Sequence, residues 1–186
     1  MNHKTMQMIT YCGILTAMSA ILTRFISIRL SIGGVENIRL GLGPFPILLA
    51  GVLFGPLIGA IVGILADLIG FTLSNMGGYM PHFTIVSAMY GFIPGLFMQL
   101  PFSKAWTPMA SFRIKLILGV IVSQILTQWL LLPWFLLLTF KMDWRLTLIP
   151  RFFTAPIQML AYILLGYILF AHPLFAQYVK KIKASK

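Results

Sequence analysis

The sequence predicts an all-α integral membrane protein with six transmembrane helices and both termini in the cytoplasm. Three observations lead to this fold class. The 186-residue chain is 59% hydrophobic, and only 9% of its residues are charged, far below the share in soluble domains. Its apolar runs approach or exceed the length that crosses a bilayer. Its basic residues gather on the side where six crossings place the termini, as is typical of cytoplasmic loops.

Proline and glycine divide the apolar runs into individual spans. The dipeptide Gly55-Pro56 splits a run that is too long for one untilted helix, and Pro133 is expected to kink the fifth span. Pro150 suits the first turn of the sixth span. Residues 1–186 are predicted to form a single transmembrane domain, with spans at about residues 8–25, 37–54, 56–73, 82–100, 116–139 and 150–171.

The distribution of charge sets the predicted orientation. Eight basic residues and no acidic residue lie on the side of the termini, whereas the other side carries six basic residues together with Glu36 and Asp143. This bias places both termini in the cytoplasm. Among the outer basic residues, Arg24, Arg39 and Arg151 each adjoin an apolar span and have polar or aromatic neighbours. Because a guanidinium binds a carboxylate through two parallel hydrogen bonds, they indicate an anionic ligand.

Several functions are excluded by what the sequence lacks. It contains no GxxxxGK[ST] loop, no GxSxG or HExxH motif and no carboxylate pair at a useful spacing. Its three histidines are scattered, and its one cysteine, Cys12, lies in an apolar run. We therefore expect no enzymatic activity, no cofactor, no metal and no disulfide. Membrane topology explains much of the net charge of +11, so this charge does not indicate a nucleic-acid partner.

Asp67 is an acidic residue well inside a predicted span. Ionisable groups in a membrane are costly and usually have a role. One interpretation is a coupling proton site in a secondary transporter. The other is a structural partner for an arginine or for backbone amides, and the several outer arginines favour this structural role.

The first span carries small residues at helical spacing. Gly13 and Ala17 are four residues apart, as are Thr16 and Ala20, which places small side chains along a helical strip. Small residues let helices approach closely in lipid. The strip either packs within the chain or docks to another membrane protein.

Polar and aromatic residues accompany the outer arginines, in the external loops and in the sixth span. Amides can hydrogen-bond the edge of a heterocycle, and aromatic rings can stack on its face. For Trp144 a place in the membrane-interface belt is the alternative. The candidates are Asn37, Asn75, Tyr79, Phe83, Trp144, Gln158 and Tyr162.

Three stretches of the sequence resemble a known family of transport proteins. The stretches "NIRLGLGPFPILLAGVLFGPLIGAIVGILADLIGF" and "GGYMPHFTIVSAMYGFIPGLF" are similar to the substrate-binding S-components of energy-coupling factor (ECF) vitamin transporters. Within that group they resemble the folate-specific branch, FolT. The segment "LIPRFFTAPIQMLAYILLGYIL" supports the resemblance toward the C-terminus, and the strongest part runs from Ile38 to Phe97.

The resemblance implies a function in the membrane of a prokaryotic cell. S-components have six helices with both ends in the cytosol, bind a vitamin tightly from outside and deliver it inward by toppling. They work with a transmembrane coupling protein and two ABC-type ATPases, so ATP hydrolysis belongs to partner subunits. The family docks on the coupling protein through an AxxxA strip on the first helix. This chain has Gly13, Thr16, Ala17 and Ala20 there and lacks a strict AxxxA motif.

A folate ligand would give the predicted site residues individual roles, and two alternatives stay open. One is an S-component for another vitamin, such as riboflavin or thiamine. The other is a proton-coupled secondary transporter that uses Asp67. A membrane enzyme or a scaffold fits less well, because catalytic groups are missing and a scaffold leaves the outer arginines and rings unexplained.

For folate, the expected roles are carboxylate binding by Arg24, Arg39 or Arg151, hydrogen bonding to the pterin by Asn37, Asn75 or Gln158, and ring contacts by Tyr79, Phe83, Trp144 and Tyr162.

Overall fold

The structure is a computed structural model that describes residues 3–32, 35–73, 79–101, 108–141 and 143–171. Within these ranges the chain forms six helices and one antiparallel hairpin of two strands. α5 consists of three consecutive helical stretches, Pro108–Gln124, Ile125–Leu131 and Leu132–Phe140, of which the middle one is π-helical. The other elements are α1 (His3–Phe25), β1 (Ile28–Ile32), β2 (Val35–Leu40), α2 (Pro44–Phe54), α3 (Pro56–Leu73), α4 (Pro81–Gln99) and α6 (Trp144–Ala171).

Four of the described helices are long and apolar enough to cross a membrane. Many large apolar side chains on these helices point away from the bundle, as expected for faces in contact with lipid. The predicted helical membrane fold is therefore confirmed, while the side on which the termini lie stays a prediction. The four segments are Thr5–Phe25, Pro56–Leu73, Ser111–Thr139 and Thr147–Ala171.

The hairpin between α1 and α2 is the element that the predicted spans did not contain. Residues 37–40 belong to β2, so α2 begins at Pro44 rather than at Asn37. The strands pair with Ile28 opposite Leu40, and the register shift leaves Asn37 as a bulge. Apolar and polar residues alternate along Ile28–Ile32, which is the period of a strand and not of a helix.

The fifth and sixth helices begin earlier than predicted. α5 starts at Pro108 rather than at Leu116, and α6 starts at Trp144 rather than at Pro150. The predicted bounds followed the apolar runs, whereas helical hydrogen bonding continues into the polar residues that flank them. Pro150 removes one backbone donor without ending α6, which membrane helices tolerate.

Glycines let α2, α3 and α4 pack with their backbones almost in contact. A Cβ atom on Gly51 would overlap the carbonyl oxygen of Gly91, and one on Gly91 would overlap the carbonyl oxygen of Gly59. Close approach of this kind gains van der Waals contact between helices in lipid, where the hydrophobic effect gives no driving force. These three helices therefore form a tightly packed unit beside the cavity described next.

Candidate functional site

A cavity lies at the end of the bundle where the hairpin joins α2. Its walls come from the end of α1, the segment after β2, the first turns of α2 and α4, the later part of α5 and the first half of α6. Together with its mouth it contains about 690 Å³ of space not filled by atoms.

Arg151 places a guanidinium group at the wall of this cavity. Its side chain is only 2% exposed, whereas Phe152 and Phe153, the next two residues of α6, are 56% and 73% exposed on the outer face. Successive residues of a helix are about 100° apart, so α6 can turn its rings outward and its cation inward. A cation buried within a membrane bundle is costly and marks a functional site. The cavity is therefore suited to an anion.

An amide pair lies farther along the same wall. Gln158 follows Arg151 by seven residues, which places both on one face of α6. Gln128 Nε2 donates a hydrogen bond to Gln158 Oε1 at 3.1 Å, and both residues line the cavity. One turn earlier in α5, Gln124 Oε1 accepts a hydrogen bond from the Tyr90 hydroxyl at 3.2 Å. The wall thus combines a cation with amide and hydroxyl groups that can bind the edge of a heterocycle.

The π-helical stretch of α5 sets the position of Gln128. The N–H of Leu132 bonds to the carbonyl of Thr127, five residues earlier, in place of the usual four. Pro133 follows directly, and its ring lacks an N–H and clashes with the preceding turn of a regular helix. Short π turns are rare and occur frequently at functional sites. A kink at Pro133 was expected from the sequence. The structure has a wider, π-helical turn just before that proline, beside the cavity.

Two hydroxyl groups fix the segment between β2 and α2. The Tyr162 hydroxyl donates to the carbonyl of Gly41 at 2.8 Å, and Ser19 Oγ donates to the carbonyl of Gly43 at 2.7 Å. A Cβ atom on Gly43 would overlap Thr23, so glycine lets this segment lie directly on α1. Gly41 and Gly43 both line the cavity. α1 and α6 therefore hold this wall from two directions.

Tyr162→Phe should lower the free energy of unfolding by about 1 kcal/mol, because the Gly41 carbonyl loses its donor. Thermal unfolding of the purified protein in detergent measures the change. Tyr167→Phe is the matched control, since Tyr167 lies on the same helix with 48% of its surface exposed. Equal melting temperatures for the two variants would mean that the Gly41 carbonyl finds another donor.

Aromatic rings join the start of α4 to the last stretch of α5. The His82 ring lies 4.5 Å from the Phe83 ring and stacks 5.7 Å from the Phe135 ring, measured between centroids. Phe83 also lines the cavity. The site therefore has an aromatic wall in addition to its polar groups.

Asp67 is hydrogen-bonded within the protein and lies away from the cavity lining. Thr84 Oγ1 donates to Asp67 Oδ2 at 2.7 Å, and the Tyr79 hydroxyl lies 2.8 Å from Thr84 Oγ1. The Tyr79 ring also packs edge-on against Phe71, with centroids 5.4 Å apart. This chain of contacts connects α3 to the start of α4, which supports a structural role for the carboxylate.

Of the residues predicted to bind the ligand, Phe83, Arg151 and Gln158 line the cavity. Their role in binding stays a prediction. Tyr162 lies behind the wall, where its ring belongs to the core and its hydroxyl binds Gly41.

Two other predicted residues have side chains that the structure places elsewhere. Arg24 packs against Gly70 of α3, and Tyr79 bonds to Thr84. On α1 it is Thr23 that faces the cavity, and its neighbour Arg24 is turned about 100° away.

The remaining predicted ligand residues fall outside what the structure describes. Asn75 lies outside the described residues, as do the side chains of Asn37, Arg39 and Trp144. The backbone of Asn37 and Arg39 is part of β2, which leads directly into Gly41 at the cavity wall. Their proposed roles in binding stay predictions.

Several polar residues at the cavity were not predicted from the sequence, among them Thr23, Ser27, Tyr90 and Gln128. Gln128 carried a usable signal, because an amide inside an apolar span is unusual. Thr23 lies in the last turn of α1 and Ser27 lies just beyond its end, so the rotation of that helix was needed to assign them.

The small-residue strip of α1 is divided between two faces. Gly13 and Ala17 are exposed, and no atom lies within 4 Å of a Cβ atom placed on Gly13. Thr16 and Ala20 are buried against the rest of the chain. The Gly13–Ala17 face is thus the part of the strip available to a partner, and the Thr16–Ala20 face packs internally.

Comparison with known proteins adds a family to this geometry. The folate transporter FolT of Clostridium novyi (strain NT) is 33% identical over 94 residues, which are 50% of this chain and 52% of that relative. The match therefore spans about half the length of this curated relative. The crystal structure of FolT bound with folic acid superimposes with a TM-score of 0.69 at 23% identity, covering 86% of this chain and 89% of that one.

A further solved structure and a family model extend the likeness over nearly the whole chain. The S component of a bacterial ECF transporter superimposes with a TM-score of 0.63 at 25% identity, covering 89% of this chain and 96% of that one. The model of the family described as "ECF-type riboflavin transporter, S component" matches residues 3–174. The chain therefore belongs to this family of S components, multi-pass proteins of prokaryotic membranes that act in transport and not as enzymes.

Proposed function

We propose that this S component captures folate, or a closely related vitamin, at the extracellular side and delivers it inward. Two similarities support the choice of vitamin: the Clostridium novyi relative is a folate transporter, and a FolT of similar fold has been solved with folic acid. Energy would come from two ABC-type ATPases acting through a transmembrane coupling protein. Toppling of the S component in the membrane would carry the vitamin across.

The observation that carries the proposal is the buried guanidinium of Arg151 at the cavity wall. Folate ends in a glutamate with two carboxylates, and a guanidinium binds a carboxylate through paired, charge-assisted hydrogen bonds. An anionic ligand would also offset the cost of keeping this cation away from water. A neutral vitamin would bring no charge of opposite sign to this guanidinium.

The rest of the cavity suits the flat part of folate. Gln128 and Gln158 offer amide donors and acceptors, and pterin presents both kinds of group along its edge. Phe83 provides an aromatic surface against which a ring can pack. The pterin would therefore lie toward the amide pair while the glutamate lies toward Arg151.

Riboflavin is the second candidate, because the matching family is described as a riboflavin transporter component. Its flat ring system would fit an aromatic and amide-lined cavity equally well. Riboflavin has no carboxylate, however, and gives Arg151 no partner of opposite charge. The buried cation therefore favours folate.

Purified protein freed of bound ligand should bind folate with a nanomolar Kd, which corresponds to about −12 kcal/mol at 1 nM. Riboflavin and thiamine should bind at least about a hundredfold more weakly, because neither presents a carboxylate to the buried cation. Equilibrium titration measures the three affinities, and mass spectrometry of small molecules that co-purify gives an independent identification. If the protein bound riboflavin tightly and did not bind folate, riboflavin and not folate would be its ligand.

Coupling to an ECF module would use the exposed Gly13–Ala17 face of α1. Small residues there leave room for a partner helix to approach closely, although the face lacks a strict AxxxA motif. The cytoplasmic position of both termini, inferred from charge, would place the cavity mouth outside. The hydrogen bond from Thr84 to Asp67 speaks against a proton-coupled mechanism through that carboxylate.

A further inference from the structure

A second depression lies between α5 and α6 at the end of the bundle opposite the cavity. We call it the α5–α6 groove, and it contains about 360 Å³ of unfilled space including its open side. The start of α5 and the end of α6 form it, whereas the later part of α5 and the start of α6 line the cavity. Its lining includes Phe112, Arg113, Leu116, Tyr167, Phe170 and Ala171.

The floor and sides of the α5–α6 groove are almost entirely apolar. Leu116 is buried, and its Cδ2 lies 3.1 Å from the position of a Cβ atom on Gly166, so it rests against the backbone of α6. The Phe112 and Phe170 rings meet edge-on with centroids 4.8 Å apart. A hydrocarbon chain would find no polar group to desolvate along this floor.

The guanidinium group of Arg113 lies at the rim of this apolar groove. Arg113 is exposed, and its Cζ lies 5.0 Å from the centroid of the Tyr167 ring. This cation–π contact holds the guanidinium beside the groove. A ring supplies no oxygen acceptor, so the N–H donors of Arg113 remain suited to a phosphate.

No acidic side chain of the sequence falls in the helices that form the groove. The three acidic residues are Glu36, Asp67 and Asp143. Glu36 belongs to β2 and Asp143 precedes α6, both at the cavity end, and Asp67 lies in the half of α3 nearer that end. Within the described ranges, the two helices that form the groove therefore offer Arg113 no carboxylate side chain.

We propose that the α5–α6 groove binds an anionic phospholipid, with one acyl chain on the apolar floor and the phosphate on Arg113. A membrane helix pair is surrounded by lipid, so acyl chains are the groove's available apolar occupants. The exposed cation selects an acidic headgroup among them, and a basic residue at an anionic membrane surface contributes about 1 kcal/mol. This site is independent of the vitamin that the cavity binds.

Native mass spectrometry of the delipidated full chain, given an equimolar mixture of phosphatidylglycerol and phosphatidylcholine with identical acyl chains, tests the proposal. Bound phosphatidylglycerol should exceed phosphatidylcholine by about fivefold, the equivalent of about 1 kcal/mol. Arg113→Gln should abolish this preference. Lys115→Gln is the control, because Lys115 lies near Arg113 but does not line the groove. This variant should keep the preference for phosphatidylglycerol.

Two further measurements separate the lipid from other occupants. Ala171→Phe adds bulk at the groove and should reduce retention of both lipids, while vitamin binding and the melting temperature stay unchanged. Inorganic phosphate in large excess should not displace phosphatidylglycerol. Displacement by phosphate would show a simple anion site, and equal lipid ratios for the unmodified chain and Arg113→Gln would remove the headgroup role. Either result overturns the proposal.

Discussion

Arg151→Gln should weaken folate binding by at least about a hundredfold, while the Kd of a neutral pterin without the glutamate changes by less than about threefold. A hundredfold loss corresponds to about 2.8 kcal/mol. Removing one partner of a buried ion pair costs about 3–5 kcal/mol, because the other charge is left uncompensated. Arg151 is 2% exposed at the cavity wall, so water cannot readily take its place. Titration of both ligands on each protein gives the comparison.

Arg145→Gln is the matched control for this measurement. Arg145 lies near the same end of the same helix as Arg151, and its side chain is exposed. Its substitution by glutamine therefore removes the same charge without touching the cavity wall. Its loss should change folate affinity only slightly, since exposed charges are screened by solvent. If Arg151→Gln weakened folate and neutral pterin equally, Arg151 would have no special role toward the carboxylates.

Gly91→Leu should destabilise the fold by more than about 4 kcal/mol, enough to prevent accumulation of folded protein. Even a Cβ atom on Gly91 overlaps the backbone of Gly59, so a leucine can fit only if α3 and α4 move apart. That movement would also disturb the contact between Gly91 and Gly51 of α2. Expression level and thermal unfolding in detergent measure the effect.

Gly13→Leu provides the same substitution at a position where the structure leaves room. No atom lies within 4 Å of a Cβ atom on Gly13, so the isolated variant should unfold at nearly the temperature of the unmodified chain. Both variants replace a helical glycine by leucine, but only Gly91→Leu forces two helix backbones apart. A difference in their stabilities therefore reports the loss of backbone contact. A Gly91→Leu protein as stable as Gly13→Leu would mean that the three helices tolerate separation.

The sequence was sufficient for the helices because apolar runs, prolines and glycines mark them directly. The hairpin was not predicted, because residues 26–36 were left between two spans and residues 37–40 were assigned to the second span. Its signal was nevertheless present in the alternation of Ile28–Ile32, where a helix would have kept apolar residues on one face. The bulge at Asn37 hid the matching alternation in β2.

Part of the candidate site follows from local spacing, and part depends on how the helices rotate about their axes. Arg151 and Gln158 share a face because they are seven residues apart on one helix. Arg24 was chosen for its place at the end of a span, yet the rotation of α1 turns it toward α3. Gln128 was missed because its contact with α6 joins residues 30 positions apart.

The wide turn of α5 has a bearing on how pockets in related chains are compared. Because the Leu132 N–H reaches back five residues, the helix beyond it is offset by roughly 100° from the phase that steps of 3.6 residues would give. Counting heptads across Ile125–Leu131 would assign the wrong side chains of α5 to the cavity wall. The hydrogen-bond pattern of one helix, as well as its residue types, therefore decides which of its side chains line the cavity.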